Sequence, residues 1–304
     1  MVACSLLLGG SPAAASPVGE VSIVARDLSG TLRGPITTGP DGNLWFVDRG
    51  REPIVRMTPE GQMTRFSVPG ISILAGITGG PDGNIWFTDS LNDSIGRITP
   101  TGAVSTFTGT GIDEPTGITT GPDGNLWFTN AANDSIGRIT PAGVVASFTH
   151  PDIDQPNIIA TGPDGNLWFS DFNTTFGRIT TAGVITSFPI GPSDRSRGVA
   201  AGPDGNVWFV KGAPSAIARI TPAGVISEFT HPDIRPDQIA AGPDGNLWFT
   251  NTSGTVGRIT PAGVITLFDT FTSARPRGIT AGPDGNMWFT NSQGPVAGSR
   301  RPVP

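Results

Sequence analysis

Residues 121–129 read GPDGNLWFT, and close copies of this phrase occur six more times along the 304-residue chain. The opening glycine falls at Gly39, Gly80, Gly121, Gly162, Gly202, Gly242 and Gly282, with a period of 41 residues that shortens to 40. Periods of this size signal propellers or solenoids. Each unit divides into four short strands. In the third copy these are TGITT (116–120), LWFT (126–129), SIGRIT (135–140) and VVASFT (144–149). The connections are the turn GPDGN, the polar loop NAAND and the turn PAG. Pro followed by Asp-Gly suits a type I turn closed at positive φ, where glycine carries no steric cost. Successive residues of a strand face opposite ways, yet Leu126, Trp127 and Phe128 are all apolar. A strand buried on both faces reads this way, as in a blade held between two neighbours.

All seven tryptophans occupy this one strand position. A buried tryptophan removes roughly 150–250 Å² from water, so the set accounts for much of a core. No stretch sustains a 3.6-residue apolar period, and essentially no helix is expected. The expected fold is all-β: a seven-bladed β-propeller of four-stranded antiparallel blades, whose closed ring leaves no exposed sheet edge. The segment GEVSIV (19–24) matches the fourth strand of a unit, such as GVISEF (224–229), while NSQGPV (291–296) tracks the third-strand entry NTSGTV (251–256). An N-terminal strand is therefore expected to complete the last blade.

Composition narrows the function. Hydrophobic residues at 37% suffice for a packed core, and 43 glycines with 29 prolines fit a turn-rich chain. A net charge of −6 excludes a broad electrostatic grip on nucleic acid or anionic lipid. The chain has no tyrosine, two histidines (His150 and His231) and a single lysine, Lys211. Its one cysteine, Cys4, lies in VACSLLLGGSPAAAS (2–16), whose triple alanine resembles a signal-peptidase site. Residues 1–16 are read as an incomplete secretory signal and 17–304 as the propeller, which is expected outside the cytoplasm as a monomer. No later stretch approaches the roughly 20 apolar residues that span a membrane.

The units GITTGPDGNLWFT followed by NDSIGRITPAG resemble the blades of the virginiamycin B lyase (streptogramin lyase) family across residues 19–296. The resemblance implies a seven-bladed propeller that opens cyclic streptogramin B antibiotics by elimination at the ester bond, assisted by Mg²⁺. It also implies catalytic groups just before the GIT pattern of the first strands: a tyrosine in the first blade, a histidine in the sixth and a Glu-Pro-His triplet in the last. In this sequence the tyrosine position is Gly34, the histidine position Asp237, and the triplet Arg275, Pro276 and Arg277. The equivalent positions of the other units are Ala75, Thr116, Asn157 and Arg197. An elimination needs a base near neutral pKa and an acid for the departing oxygen. Arginine stays protonated; Asp237 alone among the carried-over residues is a candidate base.

Candidate ligand contacts cluster at the same entries: Arg195, Arg197, Arg235, Asp237, Arg275 and Arg277 from blades five to seven, with Glu114 and Asn157 from blades three and four. These arginines either bind a carboxylate or phosphate, or pair with Asp194, Asp233 and Asp237 around the rim. The histidines of the two FTHPDI phrases are read as turn caps or surface residues, and the repeating arginine of GRIT as a partner of turn carbonyls or aspartates between blades. No metal site and no resident cofactor are expected, Mg²⁺ entering only with lyase activity. The expectation is a secreted, non-catalytic propeller binding a small molecule or protein at the channel mouth. Two alternatives remain: a Mg²⁺-dependent streptogramin B carbon–oxygen lyase, and a different enzyme using Asp237 or Glu114 as acid or base.

Overall fold

The computed structural model describes residues 3–7, 20–25, 34–48, 53–172, 175–191, 196–270 and 275–292. The protein is an all-β propeller of four-stranded antiparallel blades. The third unit forms Pro115–Thr120, Leu126–Asn130, Ser135–Ile139 and Val145–Thr149, within a residue of the expected bounds. The only helical turn among the described residues is a 3-10 turn at Ser90–Asn92.

One expectation needs correcting. Seven like blades were expected, but the chain completes six from consecutive strands, over residues 36–66, 74–108, 115–149, 159–189, 199–229 and 236–269. The last repeat supplies just two strands, Pro276–Ala281 and Met287–Asn291. Their sheet is filled out by Ala3–Leu7 in the third position and Glu20–Ala25 in the fourth. The outer N-terminal strand is as expected, but its neighbour is not the segment 291–296, of which residues 293–296 lie outside the described residues. The physical reason is that Met287–Asn291 offers an open row of backbone groups, and an extended N-terminal segment pairs with Met287–Thr290. Thr290 Oγ1 donates to Gly34 O (3.2 Å) and Thr38 Oγ1 to Ala281 O, which joins this sheet to the first blade.

The repeated phrase has a structural job in every unit. Gly124 N donates to Gly121 O (3.2 Å) with Gly124 at φ 73°, the type I turn closed at positive φ. Beyond the turn lies a contact the sequence reading missed. Asp123 Oδ1 accepts from Trp127 Nε1 at 3.0 Å, and the same bond at 3.0 Å recurs in all seven units. At Asp82, Asp123, Asp164 and Asp204, burial alone would raise the carboxyl pKa. Hydrogen bonds from the tryptophan indole and the following asparagine outweigh it and hold the pKa below the usual aspartate value.

Each tryptophan is at most 1% exposed. Trp127 stacks on Phe148 with centroids 5.4 Å apart, and the Arg138 guanidinium sits 5.5 Å from both rings. Arg138 Nη1 then donates to Thr181 O of the next blade (3.3 Å), and Arg56, Arg97, Arg178 and Arg219 make the equivalent bond at 2.8–3.0 Å. The repeating arginine thus serves turn carbonyls between blades, as expected, and it also caps an aromatic stack.

Candidate functional site

Strand direction alternates within a blade. The start of each first strand therefore shares one end of the ring with the connection between blades, and the GPDGN turns lie at the other. At the first end, Gly34, Ala75, Thr116, Asn157, Arg197, Asp237 and Arg277 occupy equivalent positions around the hub. A cavity of about 260 Å³ opens there, lined by Gly34, Ala75, Asp237, Gln238 and Arg277. Farther along the same strands, Ile36, Ile77, Ile118, Ile159 and Ile279 add an apolar wall.

Asp237 is the centre of charge. It is 7% exposed, and each oxygen faces a different guanidinium. Arg277 Nη1 lies 3.1 Å from Oδ2, and Arg197 Nη1 lies 3.4 Å from Oδ1. Three neighbouring blades thus set Arg, Asp and Arg side by side. Of the two readings left open by the sequence, ion pairing with Asp237 holds for these two arginines. Two cations against one anion still leave the cluster positive.

The other candidates are placed differently. Gly34 accepts no side chain without backbone movement, because a Cβ there would lie 2.5 Å from Val47 Cβ. Arg235 is exposed, and its Nη1 donates back to Ile234 O (2.6 Å) of its own loop. Arg275 is also exposed, and its carbonyl accepts from Ser292 N at 3.0 Å. Arg195 lies outside the described residues, as does Asp194. Asn157 takes part through its backbone, with O accepting from Gly117 N (2.8 Å) and Thr129 Oγ1 (2.8 Å). Glu114 is an exposed turn residue at φ 46°, its N–H held by Asp93 Oδ1 at 2.8 Å.

Both histidines behave as turn caps, as expected. His150 Nδ1 accepts from Asp152 N (3.3 Å), and His231 Nδ1 from Asp233 N (3.2 Å). Among the described residues no group of three or more His, Cys, Asp or Glu is placed to hold a metal ion.

Sequence reasoning overlooked Gln238. Its Nε2 donates to Arg197 O and ties blade six to blade five beside the Asp237 cluster. The signal was available: four other units carry glycine at this position (Gly76, Gly117, Gly198 and Gly278). A Cβ on Gly117 would lie 2.6 Å from Asn157 O, so the inner strands there run backbone against backbone. The long amide is a departure from the repeat, as are Pro35 and Ile158 in two other units.

The Virginiamycin B lyase family profile matches residues 20–299. A streptogramin B lyase structure superposes with a TM-score of 0.79 at 32% identity, covering 88% of this chain and 93% of that one. A catalytically inactive histidine-to-alanine virginiamycin B lyase from Staphylococcus aureus, with quinupristin, gives 0.78 at 33% identity, covering 87% and 97%. Hydrazine synthase of Kuenenia stuttgartiensis gives 0.72 at 17% identity over 86% and 92%, a likeness of fold alone. No curated protein sequence matches. No helix among the described residues is long and apolar enough to cross a membrane.

Proposed function

The chain belongs to the virginiamycin B lyase family, and from what its hub holds we propose that it is a secreted, non-catalytic member that binds a small molecule or a protein partner at the channel mouth. This reading takes the composite sheet as the seventh blade, which closes the hub, and the protein as a monomer. One observation carries it. Gly34, Asp237 and Arg277, where the resemblance placed acid–base groups, line a single cavity. Gly34 has no side chain, Arg277 offers protons and accepts none, and both oxygens of Asp237 are engaged by guanidinium groups. Elimination needs both a proton acceptor and a proton donor with tuned affinity, and this hub supplies neither in an open position.

Mg²⁺, which the family resemblance implies, does not fit these residues. It wants several oxygen ligands in an octahedral arrangement, whereas the carboxylate at the hub is flanked by two cations. We therefore assign no cofactor to the binding role.

A second reading, streptogramin B lyase activity, is favoured by the family match and by the similarity to a streptogramin B lyase. One incubation separates the two. Purified protein with a streptogramin B and Mg²⁺ is followed by mass spectrometry. The antibiotic is expected to stay cyclic at enzyme excess, and a linearised product that disappears in Asp237→Asn would overturn the non-catalytic reading.

A further inference from the structure

Resting on the hub-binding reading above, we propose that the cavity takes a small organic anion: a monocarboxylate carrying an apolar tail. Charge is distributed unevenly around the hub. Blades six and seven contribute Asp237 and Arg277 to the lining, with Arg197 of blade five paired to Asp237 behind it, while the wall from the other side is Gly34, Pro35, Ala75 and Ile158. One half of the cavity is therefore charged and the other is apolar or backbone.

The charged half carries a surplus cation. Each arginine gives Asp237 a single Nη1 contact, at 3.4 Å and 3.1 Å, rather than a paired one. A guanidinium has five N–H donors, and neither side chain makes another hydrogen bond among the described residues. Arg277 lines the cavity with 27% of its side chain exposed, and Arg197 beside it is half exposed, at 49%, so donors not used by Asp237 meet solvent. Donors of this kind match the two oxygens of a carboxylate, which forms its strongest hydrogen bonds with a charged planar fork. A cation is disfavoured, because the one carboxylate is already shared between two guanidiniums.

Size and wall chemistry define the rest of the ligand. At about 260 Å³ the cavity sits just below the usual range for drug-sized ligands, so its occupant is small. The isoleucines along the first strands give a hydrocarbon tail somewhere to leave water. Inorganic phosphate would use the arginines and leave this wall idle.

The test is calorimetric titration of the purified chain at pH 7 and low salt with butyrate, hexanoate and octanoate. Hexanamide, hexylamine and inorganic phosphate serve as comparators. Affinity should rise about fourfold per added methylene until the tail fills the cavity. Hexanoate should bind at least tenfold more tightly than hexanamide or phosphate, and Arg277→Gln should remove at least that factor. Asp237→Asn is nearly isosteric and should strengthen hexanoate binding several-fold, because the competing carboxylate is gone. A merely structural Asp237 gives no such gain. Weaker hexanoate binding in Asp237→Asn, or a preference for amide, amine or phosphate, overturns the proposal. If neutral probes bind at the hub while carboxylates do not, the anion proposal falls and the hub-binding reading stands. If neither charged nor neutral probes bind the folded chain, the anion proposal falls and the hub-binding reading keeps only its protein partner.

Discussion

Trp127→Phe, combined in a cycle with Asp123→Ala, measures how much the repeated phrase stabilises a blade. Trp127 is fully buried, and its Nε1 lies 3.0 Å from Asp123 Oδ1. Phenylalanine keeps one ring against Phe148 and Arg138 but loses the indole N–H and leaves a gap. A hydrogen bond to a charged group contributes roughly 1.5–3 kcal/mol, and the solvent-facing Asp123 puts this one near the lower figure. The gap adds about 1–2 kcal/mol. The single replacement should therefore cost about 2.5–3.5 kcal/mol, a fall of roughly 5–10 °C in Tm for a domain of this size. Urea unfolding followed by tryptophan fluorescence should give a coupling energy near 1–1.5 kcal/mol between the two sites at pH 7. The coupling should depend on pH in one direction. Burial alone would raise the Asp123 pKa, but hydrogen bonds from Asn125 and Trp127 hold it below the usual aspartate value. A depressed folded pKa gives stabilisation that is complete above the unfolded value of about 3.9 and is lost as pH falls through the folded one. The coupling should be intact at pH 7 and shrink below about pH 4. A coupling under about 0.3 kcal/mol at pH 7, or one equally large at pH 3, would refute this role for the aspartate–tryptophan bond.

Two further outcomes follow from the packing. Lys211 is 5% exposed, and its Nζ contacts Glu228 Oε1 at 2.5 Å and Ile190 O at 3.2 Å. Glu228→Ala should destabilise by about 1–3 kcal/mol in chemical denaturation by stranding a buried ammonium, and adding Lys211→Met should recover most of that loss. Deleting residues 17–26 removes the outer strand of the composite sheet and should lower Tm by roughly 10 °C in calorimetry, whereas an unchanged melting curve would refute closure by that strand.

Much of the fold was legible because the signals that set it are local. The period, the turn chemistry of Pro-Asp-Gly and the all-apolar Leu126-Trp127-Phe128 each act within a few residues, and the strands fall where they point. The capping histidines and the repeating arginine were legible for the same reason. What the sequence left open was mostly contact between segments far apart in the chain, although the outer N-terminal strand of the last sheet was expected. Whether Ala3–Leu7 takes the third position of the last sheet depends on which segment reaches the edge of Met287–Asn291, and residue type alone does not decide that. Arg197, Asp237 and Arg277 follow one another at 40-residue intervals; their pairing was one of two readings the sequence left open, and the ring's rotation from blade to blade decides it. Gln238 was visible as a break in the repeat, but its bond to Arg197 O needed the hub's backbone spacing.

The two ends of the ring also explain how a family scaffold can carry different chemistry. The aspartate–tryptophan bonds and the TPAG turns belong to the end away from the cavity. The buried apolar clusters form between neighbouring blades without drawing on Arg197, Asp237 or Arg277. Arg197 and Arg277 are partly exposed, at 49% and 27% of their side chains. Substitution of the half-exposed Arg197 therefore costs the fold little, since surface changes away from packed features usually move stability by less than about 0.5 kcal/mol, whereas Gly34 and the buried Asp237 are more constrained. A propeller built this way keeps its shape while the residues at the channel mouth change, so overall similarity transmits the scaffold and says little about the reaction. Chemistry has to be argued at the seven ring positions, where two guanidiniums flank one carboxylate.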